Sequence, residues 1–239
     1  MRSRMGVIEG AVCAAFCGAG AMAYGVRGRS STLFGPSVYR GPSSRRSLAL
    51  TFDDGPSEAT PALLEVLTDH NVPATFFQCG VNVSRLPEVA REVVRRGHEL
   101  GNHSHTHPKF YFRKPEFIRE ELTRAQSVIQ DTTGVSPALF RAPFGVRWPG
   151  MREAQRRLNL LGVMWTVIAR DWKLAAPAIV RRVLARARNG AIVCLHDGRG
   201  LEARPAVEPM MEAVRQLIPL LKAEGYRFET VSQLICQTN

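Results

Sequence analysis

Asp53 and Asp54 stand side by side, His103, His105 and His107 alternate, and Arg141, Asp171 and a His196–Asp197 pair follow further along the chain. One carboxylate with two imidazoles makes the O/N/N donor set of a catalytic divalent-metal site that keeps a position open. Zinc suits that set, and cobalt or nickel would take the same donors. Adjacent aspartates diverge on an extended backbone, so the two are not expected to hold one ion alike. One is expected to ligate and the other to stand free as a base. An ion so held lowers the pKa of a water, and the free carboxylate can take that water's proton. Arg141 would keep the base ionised by charge attraction, and His196 could protonate a leaving amine from across the site. Which imidazoles share the ion depends on the backbone. On a strand all three histidines point one way; if the strand ends near Ser104, His103 and His107 are the pair placed to converge.

Each feature alone has an ordinary reading. "DDG" after a strand is a common capped turn, HxxxH is a frequent surface pattern, and "LHDG" can close a strand. Trp165 and Trp172 read as core or wall aromatics, and His70 and His98 as structural. Position joins the set. Apolar runs at 47–52, 74–80, 98–102, 138–144, 163–168, 191–196 and 227–232 read as strands. Amphipathic stretches at 61–70, 87–97, 115–132, 151–160, 178–189 and 208–224 read as helices, with Pro87 and Pro115 at tolerated first-turn positions and Gly97 and Gly190 as stops. Seven strands alternating with six helices predict a parallel α/β sheet, closed or nearly closed into a barrel. The polar groups then lie on or just after five of those strands, on the face where barrel enzymes assemble their sites.

The chain has 239 residues and a net charge of +11. Seven arginines against one glutamate place +6 of that on residues 1–47, ahead of a mildly basic body. No basic cluster with interleaved aromatics is present, so a nucleic-acid partner is not expected. Residues 1–25 read as an export signal or N-terminal membrane anchor: Arg2 and Arg4 precede an uncharged run from Gly10 to Ala23 that ends in "AMA". The chain is therefore expected outside the cytoplasm, secreted or anchored. Residues 26–46, rich in Gly, Ser, Pro and Arg, read as a linker, and 47–239 as the catalytic domain. The five cysteines show no ligand-like spacing and read as small buried hydrophobes.

These motifs resemble those of the NodB-homology polysaccharide deacetylases, carbohydrate esterase family 4, over about residues 47–233. "TFDDGPS" (Thr51–Ser57), "HSHTH" (His103–His107), "RAPFG" (Arg141–Gly145), the Asp171–Trp172 pair and "LHD" (Leu195–Asp197) follow the family's five motifs in order. The resemblance implies a distorted (β/α)7 barrel and metal-dependent removal of N-acetyl groups from β-1,4-linked amino sugars, in peptidoglycan or a chitin-like oligomer. It implies Asp53 as general base, Asp54, His103 and His107 as metal ligands, and Arg141 as orienter of Asp53. His196 is then general acid and Asp171 its orienter. The Phe144 backbone N–H would serve the oxyanion, Leu195 would line the acetyl pocket, and Trp172 would wall the groove. His105 is then a neighbour rather than a ligand. Ala142 and Phe144 stand where many members carry Pro and Tyr, and Ile168 replaces a common acidic residue. The rival expectations are a non-catalytic sugar-binding relative and an amidase for a small cyclic amide. A carboxylate-pair glycosidase fails, because adjacent aspartates cannot flank a sugar at the roughly 5–9.5 Å such enzymes need.

Overall fold

The computed structural model describes residues 18–236, so the expected leader lies largely outside the described residues. A helix covers 18–27 (α1). Then follow β1 (Ser37–Val38), β2 (Ser47–Gly55), α2 (Thr60–Asp69), β3 (Thr75–Gln78), α3 (Gly80–Arg85), α4 (Pro87–Arg95), β4 (Glu99–Asn102), α5 (Pro115–Thr133) and β5 (Leu139–Phe140). After a 3-10 turn at Pro143–Gly145 come α6 (Met151–Leu158), β6 (Leu161–Val163), β7 (Val167–Ile168), α7 (Ala176–Leu184), β8 (Ala191–His196), α8 (Glu208–Ala223), β9 (Arg227–Phe228) and α9 (Val231–Ile235). The sheet runs β1-β6-β5-β4-β3-β2-β8-β7, with β9 added beside β2. Every ladder is parallel. This is the expected distorted barrel, and among the described residues no ladder joins β1 to β7. Among those residues no helix is long and apolar enough to cross a membrane.

Period-two alternation sorts the strands' side chains between two cores. Leu48, Leu50 and Phe52 of β2 and Val193 and Leu195 of β8 join the large cluster that packs under α2, α7 and α8. The opposite faces look into the barrel, where Ala49, Phe77, Leu139, Val163 and Ile192 form a separate cluster with Val231 and Leu234 of α9. Since the strands are parallel, their apolar starts fill one end of the barrel, and their polar ends, Asp53 and His196, are paired in register at the other.

Three elements differ from expectation. The run 163–168 is not one strand: it breaks at Met164–Thr166, so β6 pairs with β5 while β7 pairs with β8. The run 227–232 gives two strand residues and then α9, started by a capping box in which the Thr230 hydroxyl accepts from the Gln233 N–H. Residues 26–46, expected to be a linker, lie against the domain. Val26 is buried among Phe110, Ile118 and Phe140, β1 pairs with β6, and the buried Arg147 guanidinium donates to the carbonyls of Gly28 and Ser31. Glycine, serine and proline there serve tight turns in a chain held by its backbone carbonyls, which composition cannot distinguish from a free tether.

Candidate active site

Asp53 and Asp54 both reach the site because β2 ends irregularly. Its register with β3 shifts between Asp53 and Gly55, and Asp54 takes φ +72°. Bulged backbone re-aims a side chain, so two neighbours that a straight strand would separate line one cavity. Gly198 backs the turn: a Cβ there would lie 2.3 Å from the Asp54 carbonyl oxygen. Asn82 donates to the same carbonyl (2.7 Å) and to that of Gly200 (2.8 Å).

The Nε2 atoms of His103 and His107 stand 3.2 and 2.9 Å from Asp54 Oδ1. His105 takes no part in this group. Its ring is turned toward Gly80, and burial lowers its pKa. His103 Nδ1 is 2.8 Å from the Arg141 carbonyl, and an Nδ1–H donated there leaves Nε2 as a lone pair, the tautomer a metal ligand needs. Asp54 Oδ1 is buried without a hydrogen-bond donor, while Oδ2 accepts from the Gly200 N–H at 2.8 Å. Burial alone would raise the Asp54 pKa, but whenever the two imidazoles carry protons on Nε2 their hydrogen bonds and charge outweigh it and hold the carboxyl well below its usual range. An orphaned anionic oxygen facing two imidazole nitrogens, with donor atoms within 4.8 Å of one another, fits a divalent cation.

Asp53, Cys194 and His196 form a second group of similar compactness, but its chemistry suits proton transfer better. Asp53 Oδ1 accepts from Arg141 Nη1 at 2.6 Å, and Cys194 Sγ lies 3.5 Å from Oδ2. Burial, then the Asp53 charge, push the Cys194 thiol well above its ordinary pKa, so it stays protonated. Arg141 is fully buried. Its Nη1 also donates to Thr51 Oγ1 (2.7 Å) and its Nε to the Val163 carbonyl (3.2 Å), and its cation lies 4.1 Å from the Phe77 ring centroid. Opposite, His196 Nδ1 is 3.0 Å from Asp171 Oδ1, and the His196 N–H donates to Asp171 Oδ2 at 2.8 Å. Burial opposes the imidazolium, but the Asp171 charge and hydrogen bond, helped by Asp54 and Asp53, raise its pKa to about 9. The site therefore sets an ionisable carboxylate against an imidazole that keeps its proton at neutral pH.

All of this opens on a cavity of about 700 Å³. Phe144, at φ +57°, places its ring 4.7 Å from that of His107, and Trp172 meets His196 edge-on at 5.1 Å. Both aromatics are about half exposed at the mouth. Leu195, expected in the acetyl pocket, is placed elsewhere: it is fully buried in the core under the helices. Period two puts Cys194 and His196 on the cavity side, where Trp165 and Ile168 also lie. No sequence signal marks Glu121, which sits mid-helix in α5, far from any motif. Its carboxylate accepts from the His105 and Thr106 N–H groups (3.1 and 2.8 Å) and the Thr106 hydroxyl (2.8 Å), which fixes the loop bearing the histidines.

Comparison with known proteins agrees with this architecture. The polysaccharide deacetylase family model matches residues 40–163. A chitooligosaccharide deacetylase from Bradyrhizobium sp. (strain ANU 289) is 38% identical over 205 residues, covering 82% of this chain and 94% of its own. A peptidoglycan-N-acetylglucosamine deacetylase from Bacillus cereus is 31% identical over 199 residues, covering 82% and 71%. Among solved structures, the Bc1960 peptidoglycan N-acetylglucosamine deacetylase superposes with a TM-score of 0.79 at 30% identity, over 83% of this chain and 92% of that one. A CE4-family pseudoenzyme from Bacillus anthracis superposes with a TM-score of 0.77 at 28% identity, over 84% and 69%. With a family model over half its length and a relative matched almost end to end, the chain belongs to the polysaccharide deacetylase family.

Proposed function

We propose that the chain is a metal-dependent N-deacetylase that hydrolyses the N-acetyl groups of amino sugars in a glycan polymer. The observation that carries this reading is the convergence on one cavity of an orphaned O/N/N donor set, an arginine-held carboxylate and an aspartate-held imidazole. Asp54, His103 and His107 would hold the cation. When bound, a divalent ion of the zinc, cobalt or nickel type supplies Lewis acidity toward the amide carbonyl and the attacking water. Asp53, ion-paired with Arg141 and aimed by it, takes the proton of that water. The Phe144 backbone N–H helps receive the charge that gathers on the amide oxygen. His196, carrying its proton at neutral pH, delivers it to the departing amine, and Asp171 holds the ring in place. Trp165, Ile168 and Cys194 enclose the acetyl methyl, a task the sequence pattern had given to Leu195.

The polymer reading draws on Phe144 and Trp172, which stand half exposed at the mouth as sugar-stacking walls rather than folding over it. Relatives named for chitooligosaccharide and for peptidoglycan give the two substrate classes to test. The same fold is found in a pseudoenzyme, but the intact proton-transfer groups here favour catalysis over sugar binding alone. The leader composition and the peptidoglycan-directed relatives support a place outside the cytoplasm, secreted or held at the membrane by residues 1–25. The test is acetate release from N-acetylated chitooligosaccharides and from cell-wall sacculi, before and after chelation and after metal is restored. Binding of glycan without acetate release in the metal-loaded protein would leave the non-catalytic reading in its place.

A further inference from the structure

The segment ahead of the residues matched by the family model builds part of the cavity wall. Residue 40 is where the family match begins, yet Arg27 lines the cavity. Its neighbour Val26 is a buried anchor, and the Val26 carbonyl accepts from the Arg147 N–H at 3.1 Å. Arg152 donates to the carbonyls of Thr32 and Leu33 (2.7 and 3.2 Å), and Arg29 reaches across to that of Thr166 (2.6 Å). The segment is thus tied down on both sides of Arg27. The guanidinium is itself held: Nε donates to the Tyr111 hydroxyl at 2.6 Å, and the cation sits 5.6 Å from that ring's centroid. Its two terminal nitrogens have no protein partner among the described residues. Lys109, also exposed and also lining the cavity, leans over Phe144 with Nζ 5.3 Å from the ring centroid. Among the described residues neither cation forms an ion pair. Arg199, the third cation of the lining, is turned inward to the carbonyls of Asp171, Gly198 and Ala206. Asp53 is matched by Arg141, Asp54 faces its imidazoles, and Glu202 is the remaining acid of the lining.

We propose that Arg27 and Lys109 form a cationic subsite that takes a carboxylate carried by the glycan near the N-acetylated sugar. This rests on the deacetylase reading above and narrows its substrate class to acid-bearing glycans over neutral oligomers. The fixed guanidinium presents a planar fork for bidentate carboxylate binding, a geometry lysine cannot reproduce. Two rim cations also draw anionic polymer toward the cavity, an attraction that salt screens. A lactyl ether acid and the free acid of an attached peptide share this chemistry, and matched substrates distinguish them.

The experiment compares kcat/KM on muropeptide oligosaccharides with free carboxylates, on the same compounds amidated selectively at the lactyl or the peptide acid, and on neutral chitotetraose. Wild type is expected to prefer the free acid, and the preference should weaken as ionic strength rises. Arg27→Gln should lower the acid-to-amide ratio about tenfold, Arg27→Glu should lower it further, and Arg27→Lys should restore only part of it. Thermal melting of each variant checks that the segment at 26–40 remains docked. An acid-to-amide ratio unmoved by Arg27→Gln, or an equal fall on chitotetraose and on the free acid, would overturn the subsite. Acetate release from chitotetraose by wild type tests the deacetylase reading separately. Should no substrate be hydrolysed, calorimetric binding of the acid and amide forms to wild type and Arg27→Gln still decides between a carboxylate subsite and none.

Discussion

Replacing Asp53 by asparagine separates a base from a ligand. The side chains are nearly isosteric, so the substituted amide keeps an oxygen where Arg141 Nη1 now donates at 2.6 Å. What it loses is a negative charge and the capacity to accept a proton. General base catalysis is worth roughly 10²–10⁴ in rate, and turnover should fall by that much. Stability should fall as well, because Arg141 is fully buried and Asp53 is its only ion-pair partner among the described residues. Removing one member of a buried pair outright costs about 3–5 kcal/mol. Here Thr51, the Val163 carbonyl and the new amide oxygen still accept, and the Phe77 face remains under the cation. The loss should therefore resemble that of a charge-assisted hydrogen bond, about 1.5–3 kcal/mol. At roughly 2–4 °C per kcal/mol for a domain of this size, the melting temperature drops by about 3–12 °C. Acetate release, metal stoichiometry and thermal melting on one preparation supply the three readings. Near-normal turnover would mean that another group is the base. Loss of the metal would mean that Asp53 is a ligand, and the roles of the two aspartates would reverse.

Other consequences are as open to measurement. His107→Ala should lose bound metal and activity together while His105→Ala keeps both; elemental analysis showing metal loss in the His105 variant would refute the ligand assignment. Glu121→Ala, which frees two N–H groups and a hydroxyl of the histidine loop, should weaken metal affinity about 10–100-fold without touching the ligands, as a competitive chelator titration would show. With a folded pKa of about 9, His196 loses its proton only in alkaline solution, so kcat/KM should fall as pH rises through that value. Asp171→Asn should pull that limb to lower pH. The same shift carries a stability contribution, since the folded value lies above the unfolded one near 6.5. That contribution is full below about pH 6.5 and disappears as pH rises toward 9, which denaturation at pH 6 and pH 9.5 would reveal.

Much of this was legible in the sequence because its causes are local or periodic. The proline-led helices are each marked by an amphipathic stripe, and the six expected helices fall within a few residues of those observed. Motif residues appeared together because parallel strands must deliver their ends to one face. What escaped depends on contacts between distant segments. Trp165 splits a run that reads as one strand because its two halves pair with different neighbours. Leu195 looked like a pocket residue because the motif names it, whereas the register of β8 turns Cys194 and His196 inward. Glu121 and Asn82 act on backbone far along the chain, and no pattern marks them. The strap at 26–40 is held by arginines of the body gripping carbonyls, a partnership that belongs to neither segment's composition. One local signal does stand in the sequence: "TVSQ" at Thr230–Gln233 is a helix-start signature lying inside the expected last strand.

Asp54, Ser104, His107 and Phe144 all hold positive φ angles, and the eight non-glycine residues in that region among the described residues include Arg170 beside Asp171. Such conformations cost of order 1–3 kcal/mol each and persist only where surrounding structure enforces them. Glycine or asparagine would relax several of them. A laboratory selection for heat resistance alone would therefore reward replacements at the very positions that carry the donors, and its winners would be sturdy and inert. Keeping the chain useful in such a campaign means screening for hydrolysis at every round and looking for gains elsewhere, on the outer helices, where no residue is asked to bend for the reaction.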